Sequence, residues 1–371
     1  MKIVTYISKV KSWLFKILLS NKQNHNNYAV SEIVGIVLVL FIISGTVSTI
    51  LFWGVPYMQD QKAFVDQENA LLQFDAMGDL IDDALAEGVF DVEDLEVANS
   101  SKTMTFKLSG GKLNIDNQGE RFVFWYSLSD KFNFTVSDLD PDGNENEFTI
   151  IDGSGSAKNI TINYLYDNSD ENITIDLPAG TISTSHPIHD AIKIDIKNSN
   201  NIIIGRIWLF DIGSINYQST GSSNTYKAVV ENGGVLATGD RTTGHFINEP
   251  KFWPQTLLDN SSILIMRIIQ IKKDPTSGVD YIGGTGSDEV KFWILPKYSL
   301  TKENKTQIFN EIKMDIYGDT DAVSAWRYFF KNRVGFQGND FDETLSWIPP
   351  TGASNGVFSL THAICYIGME V

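Results

Sequence analysis

Cysteine is almost absent. Cys365 is the single thiol in 371 residues, so an intramolecular disulfide and a cysteine-ligated metal cluster are both excluded. It stands in the apolar stretch 358–369, which reads as a closing strand with an inert thiol inside it. Missing too are a Gly-x-Ser-x-Gly elbow, a phosphate-binding glycine loop ending in Lys and a His-Glu-x-x-His pair, so no motif points to an enzyme. Gly283-Gly284-Thr285-Gly286 lacks the following Lys and reads as a turn. Base is scarce, with 29 Lys and Arg against 46 Asp and Glu, a net charge of −17. Such a chain repels phosphates, which excludes nucleic acid as a partner and suits a solvated surface. There is no repeat of fixed period and no low-complexity tail.

Charge of either sign is absent from residues 33–58. The stretch 29–58 reads AVSEIVGIVLVLFIISGTVSTILFWGVPYM. About 20 apolar residues in a helix cross a hydrocarbon core of about 30 Å, and in lipid every backbone amide must bond within its own segment. The stretch is therefore expected to be a membrane helix despite its β-branched residues. Lys2, Lys9, Lys11, Lys16 and Lys22 precede it with no acid before Glu32, which places the N-terminus in the cytoplasm and the rest outside. Without residues 1–31 the balance is 24 bases against 46 acids, or −22. An ordinary secretory signal, interrupted near Ser44-Gly45-Thr46, is the rival reading of the N-terminus. Residues 1–20 alternate Lys with apolar residues at helical spacing, as an amphipathic helix on the inner leaflet does, or as a leader that is cut away.

AVSEIVGIVLVLFIISGTV resembles the N-terminus of archaeal type IV pilin-like proteins, which carry a class III signal peptide. The resemblance implies a prepilin peptidase cut between Ala29 and Val30, with Glu32 and Gly35 in the first turns of the mature helix. Tyr28 and Asn27 stand where that family usually has Lys or Arg. The stretch 227–250, with VVENGGVL followed by NEP, is weakly similar to outer domains of such proteins. The resemblance implies lipid and other pilin-like subunits as partners, in a homo- or hetero-filament. It also implies a minor pilus subunit or adhesin at the cell surface. A non-polymerising, single-pass binding protein is the alternative.

The expected fold class is α+β. A leader (1–29) precedes the membrane or assembly helix (30–58), an amphipathic stalk helix (59–88) and a β-rich, antiparallel, sandwich-like extracellular head with a few short helices (89–371). Gly54 and Pro56 are expected to kink the helix. Phe64, Leu71, Phe74, Met77, Leu80, Ile81, Ala84 and Leu85 then mark one face, and Asp60, Asp66, Glu68, Asp75, Asp79 and Asp82 the other, up to a stop at Gly88. Beyond Val97 the period changes to two. Met104/Phe106/Leu108 and Leu113/Ile115 flank Gly110-Gly111 as a hairpin. Alternation marks further strands at Phe132/Phe134/Val136, Ile160/Ile162/Tyr164/Tyr166, Ile173/Ile175/Leu177 and Ile192/Ile194/Ile196. The continuous runs 202–210 and 263–271 read as central strands, and Asn232-Gly233 as a turn between two strands. The polar stretch 217–225 is a candidate sub-boundary. Ile308, Ile312 and Ile316, four apart, predict helix, and Asp319 or Thr320 caps another carrying Val323, Trp326 and Phe330.

Three polar constellations are candidates for chemistry. Asp138, Asp140, Asp142 and Asn144 alternate around Gly143 as in the first half of a Ca²⁺ loop, although Thr149 stands where a bidentate Glu is expected; an acidic turn fits the same residues. His186 and His189, with Asp190, offer a partial metal set or a polar turn. Asn99, Asn133, Asn159, Asn172, Asn260 and Asn304 carry glycosylation acceptor patterns at a frequency close to chance.

Overall fold

The computed structural model describes residues 28–87, 101–108, 110–128, 132, 134–137, 148–152, 155–164, 172–176, 181–184, 192–222, 224–239, 242–250, 253–256, 262–284, 288–297, 303–308, 311–338, 344–349 and 356–370. Residues 1–27 of the leader, Asp138, Asp140, Asp142 and Asn144, and His186 and His189 lie outside the described residues. The chain divides into two compact units, Met1–Met58 and Gln59–Val371.

In the first unit α1 (Tyr28–Thr49) leads into a π-helical turn (Ile50–Gly54), after which α2 (Val55–Glu87) begins. Pro56 has no N–H to give to the preceding turn and its ring crowds the carbonyl four residues back. The wider turn absorbs this: the Val55 N–H donates to Ile50 O, five residues back. The two threonines in the apolar run keep their hydroxyls satisfied within the helix. Thr46 and Thr49 donate to the carbonyls of Ile42 and Gly45, each at 2.8 Å.

In the second unit α2 packs one face into the head, burying Ala63, Ala70, Phe74, Met77, Ile81 and Ala84. The opposite acids are not all solvated as a two-faced helix would have them. Asp66 is buried. The Asp60 carboxylate accepts from the Ser222 N–H at 2.7 Å, and Asp75 accepts from the Asn248 amide at 2.7 Å. Gln67 donates to the carbonyls of Lys227 and Thr238, and Gln73 makes a paired N–H and C=O exchange with Lys107 on the edge of a strand. Helix periodicity marks the apolar stripe; it does not report that the other side is also held by hydrogen bonds.

Four sheets follow. The first has the order β1 (Lys102–Leu108), β18 (Asp288–Lys297), β22 (Gly356–Glu370), β16 (Ser262–Lys273), β15 (Trp253–Thr256), with β19 (Glu303–Ile308) also on β22. β16 and β22 run parallel over twelve register pairs, so the expectation of an antiparallel head holds for most pairings and fails here. The second has the order β21 (Leu345–Trp347), β20 (Ile312–Tyr317), β3 (Arg121–Ser127), β10 (Ile203–Asp211), β9 (Ile192–Lys197), β6 (Asn159–Tyr164), β7 (Asn172–Asp176). The third has the order β14 (Thr242–Asn248), β13 (Gly234–Gly239), β12 (Thr225–Glu231), β11 (Ser214–Thr220), β2 (Gly111–Asp116), β17 (Tyr281–Gly284). The small fourth joins β4 (Phe134–Ser137), β5 (Phe148–Asp152) and β8 (Thr181–Thr184).

Among the described residues, three large apolar clusters and a small one (Val229, Leu236, Ala322, Ala325) hold these layers. Phe74, Met77 and Ile81 of α2 sit with Phe106, Tyr217, Val230, Phe292 and Ile367 from the first and third sheets. Trp326 and Phe330 join Phe122, Phe124, Trp208, Phe210, Met266 and Phe358. Val123, Trp125, Ile160, Ile194 and Leu209 meet Phe132, Phe134 and Ile150. β3 faces two of these clusters at once, Phe122 and Phe124 on one side and Val123 and Trp125 on the other. Its sequence is accordingly a continuous apolar run without alternation.

Four sequence expectations are corrected. Gly110-Gly111 does not close a hairpin: β1 pairs with β18, and β2 with β11 and β17, so the glycines pass the chain from one sheet to another. A Cβ at Gly111, whose φ is +83°, would lie 2.6 Å from Gln218 O. Residues 217–225 form a hairpin between β11 and β12 and divide nothing. Ile308, Ile312 and Ile316 belong to strands β19 and β20; a spacing of four is also an even number, and Ile312, Met314 and Ile316 share a strand face. Gly283 and Gly284 lie inside strand β17 rather than in a turn. The Asn232-Gly233 turn stands as expected, both residues at positive φ. So does the Asp319 cap, which accepts from the Asp321 N–H and starts α3 (Thr320–Phe329).

Candidate functional site

Two features of the chain are candidates for a functional site. The first is the helix. Residues from Ile33 through Met58 leave nearly every large apolar side chain exposed, with Phe41, Phe52 and Trp53 each about four-fifths exposed. The helix is long and apolar enough to cross a membrane. Gly35 faces open space, with nothing within 4 Å of a Cβ built on it. Ala29, Val30 and Glu32 lie on the described backbone of α1, in its first turns.

The second is a polar cleft of about 290 Å³ on the head. In β2 and β11 alternate residues go opposite ways. Leu113, Ile115, Ile215 and Tyr217 turn into the cluster beneath α2, and Asn114, Asn216 and Gln218 line the cleft from the other face. Backbone register sets Asn114 opposite Asn216, and sets Gln218 opposite both Lys112 and Lys227. Thr238 continues the second row beyond Lys227. Asp319 at the start of α3 forms part of the far wall, where Lys227 reaches it at 3.3 Å. Burial alone would raise the Asp319 carboxyl, but Lys227 and the N–H groups of Asp321 and Ala322 outweigh it and hold it below the usual range.

Glu120 is also among the residues that line the cleft. It is 5% exposed, and the neighbouring Glu231 is fully buried. Glu231 sits at the end of β12, next to the Asn232-Gly233 turn, and accepts from the Trp326 indole N–H. Burial, then the neighbouring Glu120, raises the Glu231 carboxyl well above its ordinary value; burial also raises Glu120. The two carboxyls are neighbours, and with burial this favours a proton on the pair where free carboxylates would have lost it. Glu231 does not reach the cleft, and the pair cannot act on a substrate from both sides.

A second, more apolar groove of about 370 Å³ lies between α2 and the third sheet, with Phe64, Leu71, Tyr226 and Ile247 in its walls.

The remaining sequence candidates are scattered. Asn159 is half-buried at the start of β6, between β7 and β9. Asn172 and Asn304 lie on the backbones of β7 and β19. Asn99, Asn133 and Asn260 lie outside the described residues, as do Asp138, Asp140, Asp142 and Asn144. Among the described residues no group of three or more His, Cys, Asp or Glu is arranged to hold a metal. Cys365 is buried and its thiol pushed up to about 12 by burial. The cleft residues escaped sequence reading because an amide between two apolar strand residues is the ordinary signature of a wet sheet face. Only the coming together of β2, β11, β12 and α3 distinguishes Asn114, Asn216 and Gln218 from any other outward polar residue.

Residues 29–129 match a family of unknown function (DUF7289). The match covers α1, α2 and the strands β1 to β3, which open three of the four sheets. No curated protein and no solved structure matches the chain.

Proposed function

We propose that the chain is a pilin-like surface protein, held by α1 in a membrane or in the core of a filament, with its β-sandwich-like head outside the cell and working by contact and binding. The observation that carries this reading is the all-round exposure of the apolar residues 33–58, followed along the same polypeptide by a helix whose stripe Ala70, Phe74, Met77, Ile81 is buried. A helix apolar on every side needs lipid or other helices around it, whereas an amphipathic one is satisfied by its own head. The match over residues 29–129 includes the residues of both the anchor and the stalk. The lysines before the helix support an outward head.

The test is made on native membranes. Mass spectrometry of the mature N-terminus is expected to find Val30 first, with the chain resisting alkaline carbonate extraction and the head cleaved by protease added to intact cells. An intact Met1 on an extraction-resistant chain would overturn prepilin-type processing and leave a non-polymerising, single-pass binding protein. A chain released by carbonate would overturn anchoring altogether.

A further inference from the structure

We propose that the cleft formed by Asn114, Asn216, Gln218, Thr238 and Glu120 binds an uncharged saccharide. The hydrogen-bonding groups that line it are of a particular kind. The side-chain amides of Asn114 and Gln218 make no hydrogen bond among the described residues, and Asn216 gives one N–H to Ser214 Oγ at 2.9 Å, which leaves its carbonyl oxygen uncommitted. An amide offers a donor and an acceptor side by side, and a hydroxyl is both at once, so a row of amides meets a row of hydroxyls without leaving either unpaired. The spacing suits this. Asn114 and Asn216 face each other across strands about 4.8 Å apart, and Gln218 lies two residues, about 7 Å, further along the same face. Hydroxyls on opposite edges of one sugar ring, or on two adjoining rings, reach both rows.

The other ligand classes fit less well. Asp116, Glu120 and Asp319 repel an anion. A cation meets Lys227, which already occupies Asp319, and finds Glu120 sharing a proton with Glu231. Metal has no cluster among the described residues. An apolar ligand would find few matching walls, chiefly Val229 and Ala322. At about 290 Å³ the cleft stands at the small end of ligand sites, the scale of one or two sugar rings. Glu120, nearly buried, adds a carboxyl-bearing residue to the lining.

The inference rests on the surface-protein reading only for where the sugar would be encountered. The test uses the full chain in lipid nanodiscs, because sugar-headed detergents would compete. Saturation-transfer NMR is run with glucose, galactose, mannose, N-acetylglucosamine and maltose, with glucuronate and putrescine as charged comparators. At least one neutral sugar is expected to receive saturation. Its signal should fall at least tenfold in Gln218→Leu and in Asn114→Leu, with melting temperatures within a few degrees of the parent. Should either variant lose its melting transition, Asn216→Ser is read in its place. Absence of transfer to every neutral sugar would overturn the proposal, as would undiminished transfer in the variants or displacement of the sugar by putrescine. Sugar binding by a chain that carbonate releases would defeat the anchoring and leave this site standing.

Discussion

Arg267 Nη2 on β16 lies 2.6 Å from Asp82 Oδ1 on α2. Asp82 is one of the acids that helix periodicity assigns to solvent, yet its side chain is only about one-eighth exposed. The pair ties the end of the stalk helix to β16, the strand beside the centre of the first sheet. Asp82→Ala leaves the guanidinium half-buried without its carboxylate and is expected to lower head stability by about 1–3 kcal/mol. Urea unfolding followed by tryptophan fluorescence measures it. A change below 0.5 kcal/mol, an exposed-pair value, would mean the contact is incidental.

Phe74 is fully buried and packs on Phe106 at a ring separation of 5.2 Å. Truncation to Ala removes the central side chain of the stripe by which α2 holds the head and is expected to cost about 3–5 kcal/mol. Leu72, two residues away and 73% exposed, serves as the comparison, since Leu72→Ala should leave the same unfolding curve nearly unmoved.

The Glu120–Glu231 pair makes stability fall with rising pH. Both carboxyls have folded values above the unfolded 4.5, so from about pH 4.5 upward the native state binds more protons than the unfolded chain, and stability declines as pH rises toward the folded values. Glu231→Gln keeps an acceptor for the Trp326 N–H and a donor toward Glu120. It is expected to flatten this decline and to raise stability at pH 8 relative to the parent. Parallel denaturation curves at pH 5, 6.5 and 8 check it, and an unchanged slope would show that the proton is not held there.

His362 acts in the opposite sense. It is buried beside Phe210, with Nε2 2.8 Å from Gln270 Oε1, and burial followed by Lys272 lowers its value to about 3. The unfolded chain takes up a proton below pH 6.5 and the native state does not until about pH 3, so this group withdraws stability as pH falls through that window. His362→Leu leaves the buried Gln270 Oε1 without its bond to His362 and lowers stability at pH 7 by about 1–3 kcal/mol. The same variant should lose less stability than the parent between pH 6.5 and 4.

Leu40 lies near the middle of the exposed apolar helix. Arg placed there would cost about 2.5–3.5 kcal/mol on insertion scales. Leu40→Arg is expected to release a large share of the chain to alkaline carbonate, whereas Leu40→Ile leaves it in the pellet.

The elements that sequence alone disclosed are those whose environment repeats along the chain. The helix of residues 33–58 is apolar on all sides and reads so. The face marked by Phe74, Met77 and Ile81, the alternation at Ile192, Ile194 and Ile196, and the Asn232-Gly233 turn are local patterns with local causes. What was illegible depends on partners distant in sequence. β3 has no alternation because it is buried on two faces, and β19 and β20 were mistaken for helix because isoleucines four apart satisfy both periods. Gly110-Gly111 turns the chain without pairing its flanks. The cleft was illegible for the same reason, since Glu231 acquires its meaning from Glu120 and Trp326, each roughly a hundred residues away in the chain.

β22 lies between β16 and β18 and is hydrogen-bonded to both, with β19 along its first half. The strand that completes the centre of the first sheet is thus made long after the strands it joins, and the parallel partner β16 must wait with an open edge until it arrives. In the order of synthesis this is a built-in delay: the first sheet stays open at its centre until β22 has been made, about sixty residues after β18.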